Sequence, residues 1–143
     1  MTTPSSGRSL SAGRERRFIL ERYAEMLPVT PRTPLLSLGE GGTPLVRSRV
    51  IGPEVGLSQL CFKLESVSPT GSYKDRFIVR EMERIVASGA RMVVATSSGN
   101  TGAALAAYSA RAGVRCVIVA APEAPEGKVA QMRAHGATVV RVP

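Results

Sequence analysis

The sequence contains no tryptophan, one histidine, two cysteines, and only three tyrosines and three phenylalanines. So few aromatic rings leave alanine, valine and glycine to fill the interior, which suits buried strands alternating with helices better than an aromatic-rich sandwich. The two cysteines, Cys61 and Cys116, each lie in an apolar run with no CxxC spacing or histidine-rich surroundings. That excludes the usual zinc patterns and a disulfide framework, and both are expected as buried free thiols. His135 precedes Gly136 at an expected helix end, where capping accounts for it without catalysis. No apolar stretch approaches the roughly 18–20 residues of a membrane helix, and residues 1–12 lack a signal-type hydrophobic segment, so a cytoplasmic location is expected.

What is present is a basic chain of 143 residues with a formal charge of +8 and 43% hydrophobic residues, enough for one core of ordinary size. The positive excess is spread along the chain, without a lysine/arginine block or aromatic interleaving, so nucleic-acid binding is a weakly supported alternative. Arg8, Arg14, Arg16 and Arg17 make the first segment basic. Residues 1–13 are rich in Ser, Gly, Thr and Pro and are expected as a flexible arm, solubilising or subunit-contacting; residues 14–143 are expected to carry the fold.

Periodicity divides the remainder. Phe18, Ile19, Tyr23, Met26 and Leu27 recur at helical spacing and predict an amphipathic helix over 14–27, stopped by Pro28. Residues 45–50 and 60–64 predict short strands separated by Gly52-Pro53 and Gly56. Ser72 followed by Asp75 predicts a capping box, opening a helix whose apolar face is Phe77, Ile78, Met82, Ile85 and Val86 and which Gly89 ends. Strands are then expected at 92–96, 115–120 and 138–142, with helices at 100–112 and 125–134 between them. Short, nearly all-apolar strands alternating with helices predict an α/β fold: an open, mostly parallel sheet with helices on both faces and right-handed crossovers. The sequence stops directly after a strand, which predicts an incomplete unit.

Two segments carry chemistry. In Pro69-Thr70-Gly71-Ser72-Tyr73-Lys74-Asp75-Arg76, Lys74 falls in the first turn of a helix, where unpaired N–H groups and the helix dipole disfavour the ammonium form and leave a more available amine. Alone, the segment is more readily an exposed lysine near an ordinary helix start. In Ala95-Thr96-Ser97-Ser98-Gly99-Asn100-Thr101-Gly102, a strand-to-helix turn offers N–H groups and small hydroxyls to a phosphate or carboxylate. An ordinary Ser/Asn helix cap is the competing reading. Both lie at the C-terminal edge of expected parallel strands, where such folds place ligands.

In this order and separation, together with Glu21-Arg22-Tyr23-Ala24-Glu25-Met26-Leu27-Pro28 and Gly39-Glu40-Gly41-Gly42-Thr43-Pro44-Leu45, these segments resemble the tryptophan-synthase-β type of pyridoxal-phosphate enzyme, fold type II, and within it the threonine synthases. The resemblance implies pyridoxal 5'-phosphate as cofactor, with Lys74 forming its covalent imine and later serving as general base. Asn100 then contacts the cofactor's ring hydroxyl oxygen, and Thr96, Ser97, Ser98, Gly99 and Thr101 form the loop that grips the substrate α-carboxylate. For a threonine synthase the implied reaction converts O-phosphohomoserine and water to threonine and phosphate in a homodimer. Threonine or serine dehydratases and cysteine synthases share this amine and carboxylate chemistry; a noncatalytic interaction module or truncated remnant is the alternative of another class. Ser68 stands where asparagine is common in the family, and Phe77 where glycine is usual. The family's phosphate-binding cup belongs to a region beyond residue 143.

Overall fold

The computed structural model describes residues 18–30, 33–34 and 36–143, so the expected arm 1–13 and the start of the first expected helix lie outside the described residues. Chain order is α1 (Ile19–Arg22), β1 (Leu45–Arg47), α2 (Ile51–Glu54), β2 (Cys61–Lys63), a 3-10 turn (Glu65–Val67), α3 (Lys74–Ala87), β3 (Met92–Thr96), α4 (Asn100–Ala112), β4 (Arg115–Ala120), α5 (Glu126–Ala134) and β5 (Thr138–Arg141).

The apolar strands β3, β4 and β5 pair in parallel in that order, with Ala95 opposite Ile118 and Ile118 opposite Val139. Cys116, Ile118 and Ala120 point to a buried face because side chains alternate along a strand. There Cys116 and Ile118 join α4, whose residues from Gly102 to Ser109 are all buried, and the α3 residues Ile78, Val79 and Met82, while Ala120 packs with Ala124 and Val129. The opposite face is open among the described residues, with Met92, Val94 and Val140 exposed. The alanine-rich sequence of α4 allows this close helix packing, and Gly113 ends the helix in the left-handed conformation, φ 67°.

Several local expectations are corrected. The first helix is a single turn around Leu20, which is 2% exposed, whereas Tyr23 and Met26 of the expected apolar stripe are exposed. Burial there centres on Leu20, which lies outside the expected stripe, while Leu27 of that stripe is partly buried. In α3 the buried face is Ile78, Val79 and Met82, and Phe77 points outward, because contact with α4 selects the face. Cys61 is exposed while Cys116 is buried: β1 and β2 form a separate antiparallel ribbon whose strands have no covering layer among the described residues. His135 does occupy the C-cap of α5.

The core also holds charge. Glu40 and Glu83 are fully buried. Glu40 accepts hydrogen bonds from the Tyr108 hydroxyl (2.8 Å), the Ser37 hydroxyl (3.0 Å) and the Leu38 amide (3.1 Å). Neither carboxylate oxygen of Glu83 has a hydrogen-bond partner among the described residues, and the Arg80 guanidinium stands 3.8 Å away. Burial therefore pushes Glu83 up to about 7, the nearby Glu40 adding to the effect and Arg80 opposing it.

Candidate active site

Lys74 is the first residue of α3. Ser72 Oγ accepts the Lys74 amide at 3.2 Å, but Tyr73 stands at the N-cap and the expected capping box does not form. Asp75 turns instead to Thr70, taking its amide (2.9 Å) and its hydroxyl (2.7 Å). Asp75 is fully buried and Thr70 nearly so, and a buried carboxylate must find donors; the loop before it supplies two, while the reciprocal box would supply one. Gly71 adopts φ 79°, which lets the loop turn back over Asp75. The Lys74 ammonium faces no carboxylate among the described residues; it lies 4.7 Å from the centroid of the exposed Tyr73 ring.

Arg76 leaves the helix on another side and forms a two-pronged pair with Glu65, at 2.7 and 2.8 Å. Thr43 joins them, donating to Glu65 (2.8 Å) and accepting from Arg76 (3.1 Å), while Lys63 donates to the Thr43 carbonyl. The Arg76 hydrogen bond is the main reason that Glu65 is held down at about 2. This network ties the 3-10 turn, the β1–β2 ribbon and α3 together beside the lysine.

The second segment lies at the end of β3. The Ser97 amide donates to Val119 (2.9 Å), and Ser98 Oγ accepts the Ala121 amide (3.1 Å), so the turn is anchored to the end of β4. Ser97 Oγ accepts the amides of Gly99 (3.3 Å) and Gly102 (2.9 Å), closing the turn on itself. The main-chain amides of Asn100 and Thr101, at the positive end of α4, and both their side chains find no partner among the described residues. These are free donors for an anion. Thr96 is exposed, and Gly99 has open space around the position of a side chain.

The two segments meet at one end of the fold. Neighbouring residues of α5 touch both: Gln131 Nε2 donates to the Thr70 carbonyl at 3.0 Å, and Met132 packs against Gly102. A Cβ on Gly102 would come within 2.6 Å of Met132 Cε and 3.1 Å of Ser97 Cβ, so only glycine lets the helices close in this way. Farther along, Ser109 of α4 reaches Met82 of α3 at 3.7 Å, each about two turns from its helix start, as parallel helices with adjacent N-termini require. Sequence reasoning missed Thr70, Asp75 as an anchor, Gln131 and Met132. Asp75 carried a signal, being a charge on an otherwise apolar helix face. Gln131 carried none, because its partner lies 61 residues away.

An unpaired amine and a donor-rich turn at one end of a parallel sheet suit a ligand that combines a carbonyl with an anion, and the pyridoxal-phosphate aldehyde and an amino-acid carboxylate fit these groups. Among the described residues, no cluster of His, Cys, Asp or Glu could hold a metal, and no helix is long and apolar enough to cross a membrane. Residues 36–143 match the family described as pyridoxal-phosphate dependent enzyme. The chain is 44% identical over 131 residues to a threonine synthase of Halalkalibacterium halodurans, covering 88% of this chain and 36% of that protein. A threonine synthase of Methanocaldococcus jannaschii is 42% identical over 134 residues, 90% of this chain and 32% of the relative. The chain thus spans about a third of the length of these curated relatives. Among solved structures, a pyridoxal 5'-phosphate-dependent aspartate racemase superposes with a TM-score of 0.65 at 38% identity, over 69% of this chain and 32% of that one. The family match spans residues 36–143 and the superposition covers 69% of the chain, and the chain belongs to the pyridoxal-phosphate-dependent enzyme family.

Proposed function

We propose that this chain is the lysine-bearing part of a threonine synthase, which converts O-phosphohomoserine and water to threonine and inorganic phosphate. The observation that carries the reading is identity above 40% to threonine synthases over nearly nine-tenths of the chain. Bound pyridoxal 5'-phosphate supplies an electron sink for charge released at the substrate's α-carbon. Lys74 Nζ is the group that attaches to the cofactor's aldehyde carbon and, when free, moves protons on the substrate. Asn100 holds the cofactor ring through its side-chain amide. Thr96, Ser97, Ser98, Gly99 and Thr101 form the loop for the α-carboxylate, in which the Asn100 and Thr101 N–H groups act as donors while the Ser97 and Ser98 hydroxyl oxygens keep the turn in shape. The same reading takes residues 14–143 as the first part of the catalytic fold and 1–13 as an arm, with a homodimeric assembly in the cytoplasm. A racemase acting on a small amino acid is the second reading, favoured by the aspartate racemase superposition.

The test is borohydride reduction of the protein with pyridoxal phosphate, followed by peptide mapping, beside an assay of phosphate release from O-phosphohomoserine. A stable adduct on Lys74, lost in Lys74→Ala, together with phosphate release is the expected result. An adduct on Lys63 or Lys128 overturns the site. Inversion of an amino acid without phosphate release overturns the threonine synthase reading in favour of the racemase.

A further inference from the structure

We infer that Gln131 is a positioning residue that sets Lys74 against the 97–102 turn. Its side-chain amide is held from both ends: Lys128 Nζ donates to Oε1 at 3.0 Å, and Nε2 donates to the Thr70 carbonyl at 3.0 Å. Only this orientation satisfies both contacts, because an ammonium can only donate and a carbonyl can only accept. Thr70 is 4% exposed and spends its other polar groups on Asp75, which is fully buried and adjoins Lys74 in the chain. Thr70 is therefore gripped on one side by the helix that starts at Lys74 and on the other by α5.

The next residue, Met132, is fully buried against Gly102 and Ser97 at the start of α4. Consecutive helical side chains point about 100° apart, so one short stretch of α5 reaches two different loops. A shift of α5 therefore moves the lysine loop and the anion turn together, and loss of the Gln131 contact frees the lysine loop alone. Lys128 has a defined part as well: it orients the amide of Gln131, and that engagement accounts for the lysine without chemistry of its own.

What Gln131 positions rests on the role proposed for Lys74, but the mechanical coupling does not, so the experiment separates the two. Amide hydrogen exchange is measured on the full chain without cofactor for the parent, Gln131→Ala and Gln131→Glu. The glutamate variant keeps the size of the side chain and its Lys128 partner but cannot donate to the Thr70 carbonyl. Exchange across residues 70–74 is expected to rise about tenfold in both variants, the scale of one lost hydrogen bond, with residues 103–109 in α4 unchanged. Borohydride trapping of pyridoxal phosphate on Lys74 should slow in parallel. Unchanged exchange at 70–74 in the glutamate variant overturns the inference, as does acceleration spread equally through α4 and the sheet. Failure to trap any adduct on Lys74 in the parent defeats the proposed function and leaves the exchange result to decide the role of Gln131.

Discussion

Replacing Gly102 with alanine sets two effects of similar size against each other. Glycine inside a helix costs about 1 kcal/mol relative to alanine, so propensity alone predicts a stabilised protein. The structure predicts the reverse. The new Cβ would stand 2.6 Å from Met132 Cε, 3.2 Å from its Sδ and 3.1 Å from Ser97 Cβ. The methionine tip is flexible, but Met132 is fully buried and has little room to withdraw. Ser97 cannot yield freely, since its amide is bonded to Val119 and its Oγ accepts two amides of the turn. Overpacking of a filled core costs about 1–3 kcal/mol, so the net expectation is a loss of about 1 kcal/mol. Urea unfolding of the protein measures this as a lower midpoint at unchanged slope. Combining the change with Met132→Ala, which removes two of the three clashing atoms, should recover about 1 kcal/mol relative to additivity in a double-mutant cycle. A Gly102→Ala protein more stable than its parent, or an additive cycle, would refute the packing argument.

Two further predictions concern pH. Glu83 has its carboxyl raised from 4.5 to about 7 in the folded state, so its stabilising effect is complete below about pH 4.5 and is lost as pH rises through 7. Glu83→Gln should therefore remove this loss, raising stability above pH 7 by roughly 3 kcal/mol at most while changing little at pH 4; an equal effect at both pH values would contradict it. Glu65 behaves oppositely: held at about 2 by Arg76, it contributes stability above pH 4.5 that is lost as pH falls toward 2. The pair is partly exposed, so solvent screening reduces the contribution to about 1–2 kcal/mol. Arg76→Ala should flatten the acid limb of the stability curve, and an unaltered midpoint of acid unfolding in that variant would show that the pair is not stabilising.

The sequence by itself determined the alternation that builds the sheet. Residues 92–96, 100–112 and 115–120 form the expected strand, helix and strand, because apolar runs, alanine-rich spacing and a stopping glycine act within a few residues of each other. The positions of Lys74 and Asn100 at helix starts were legible for the same reason. Tertiary structure decided what depends on distant partners: α3 buries Val79 and leaves Phe77 outside because α4 packs there, and Asp75 leaves the expected capping box for Thr70 because both are buried. It also decided that Cys61 is exposed, since no described element covers the β1–β2 ribbon, and that Gln131 reaches Thr70 across 61 residues. Periodicity reports that a residue prefers burial or solvent, but the contact surface of a helix and the partner of a buried polar group exist only once separate elements have packed.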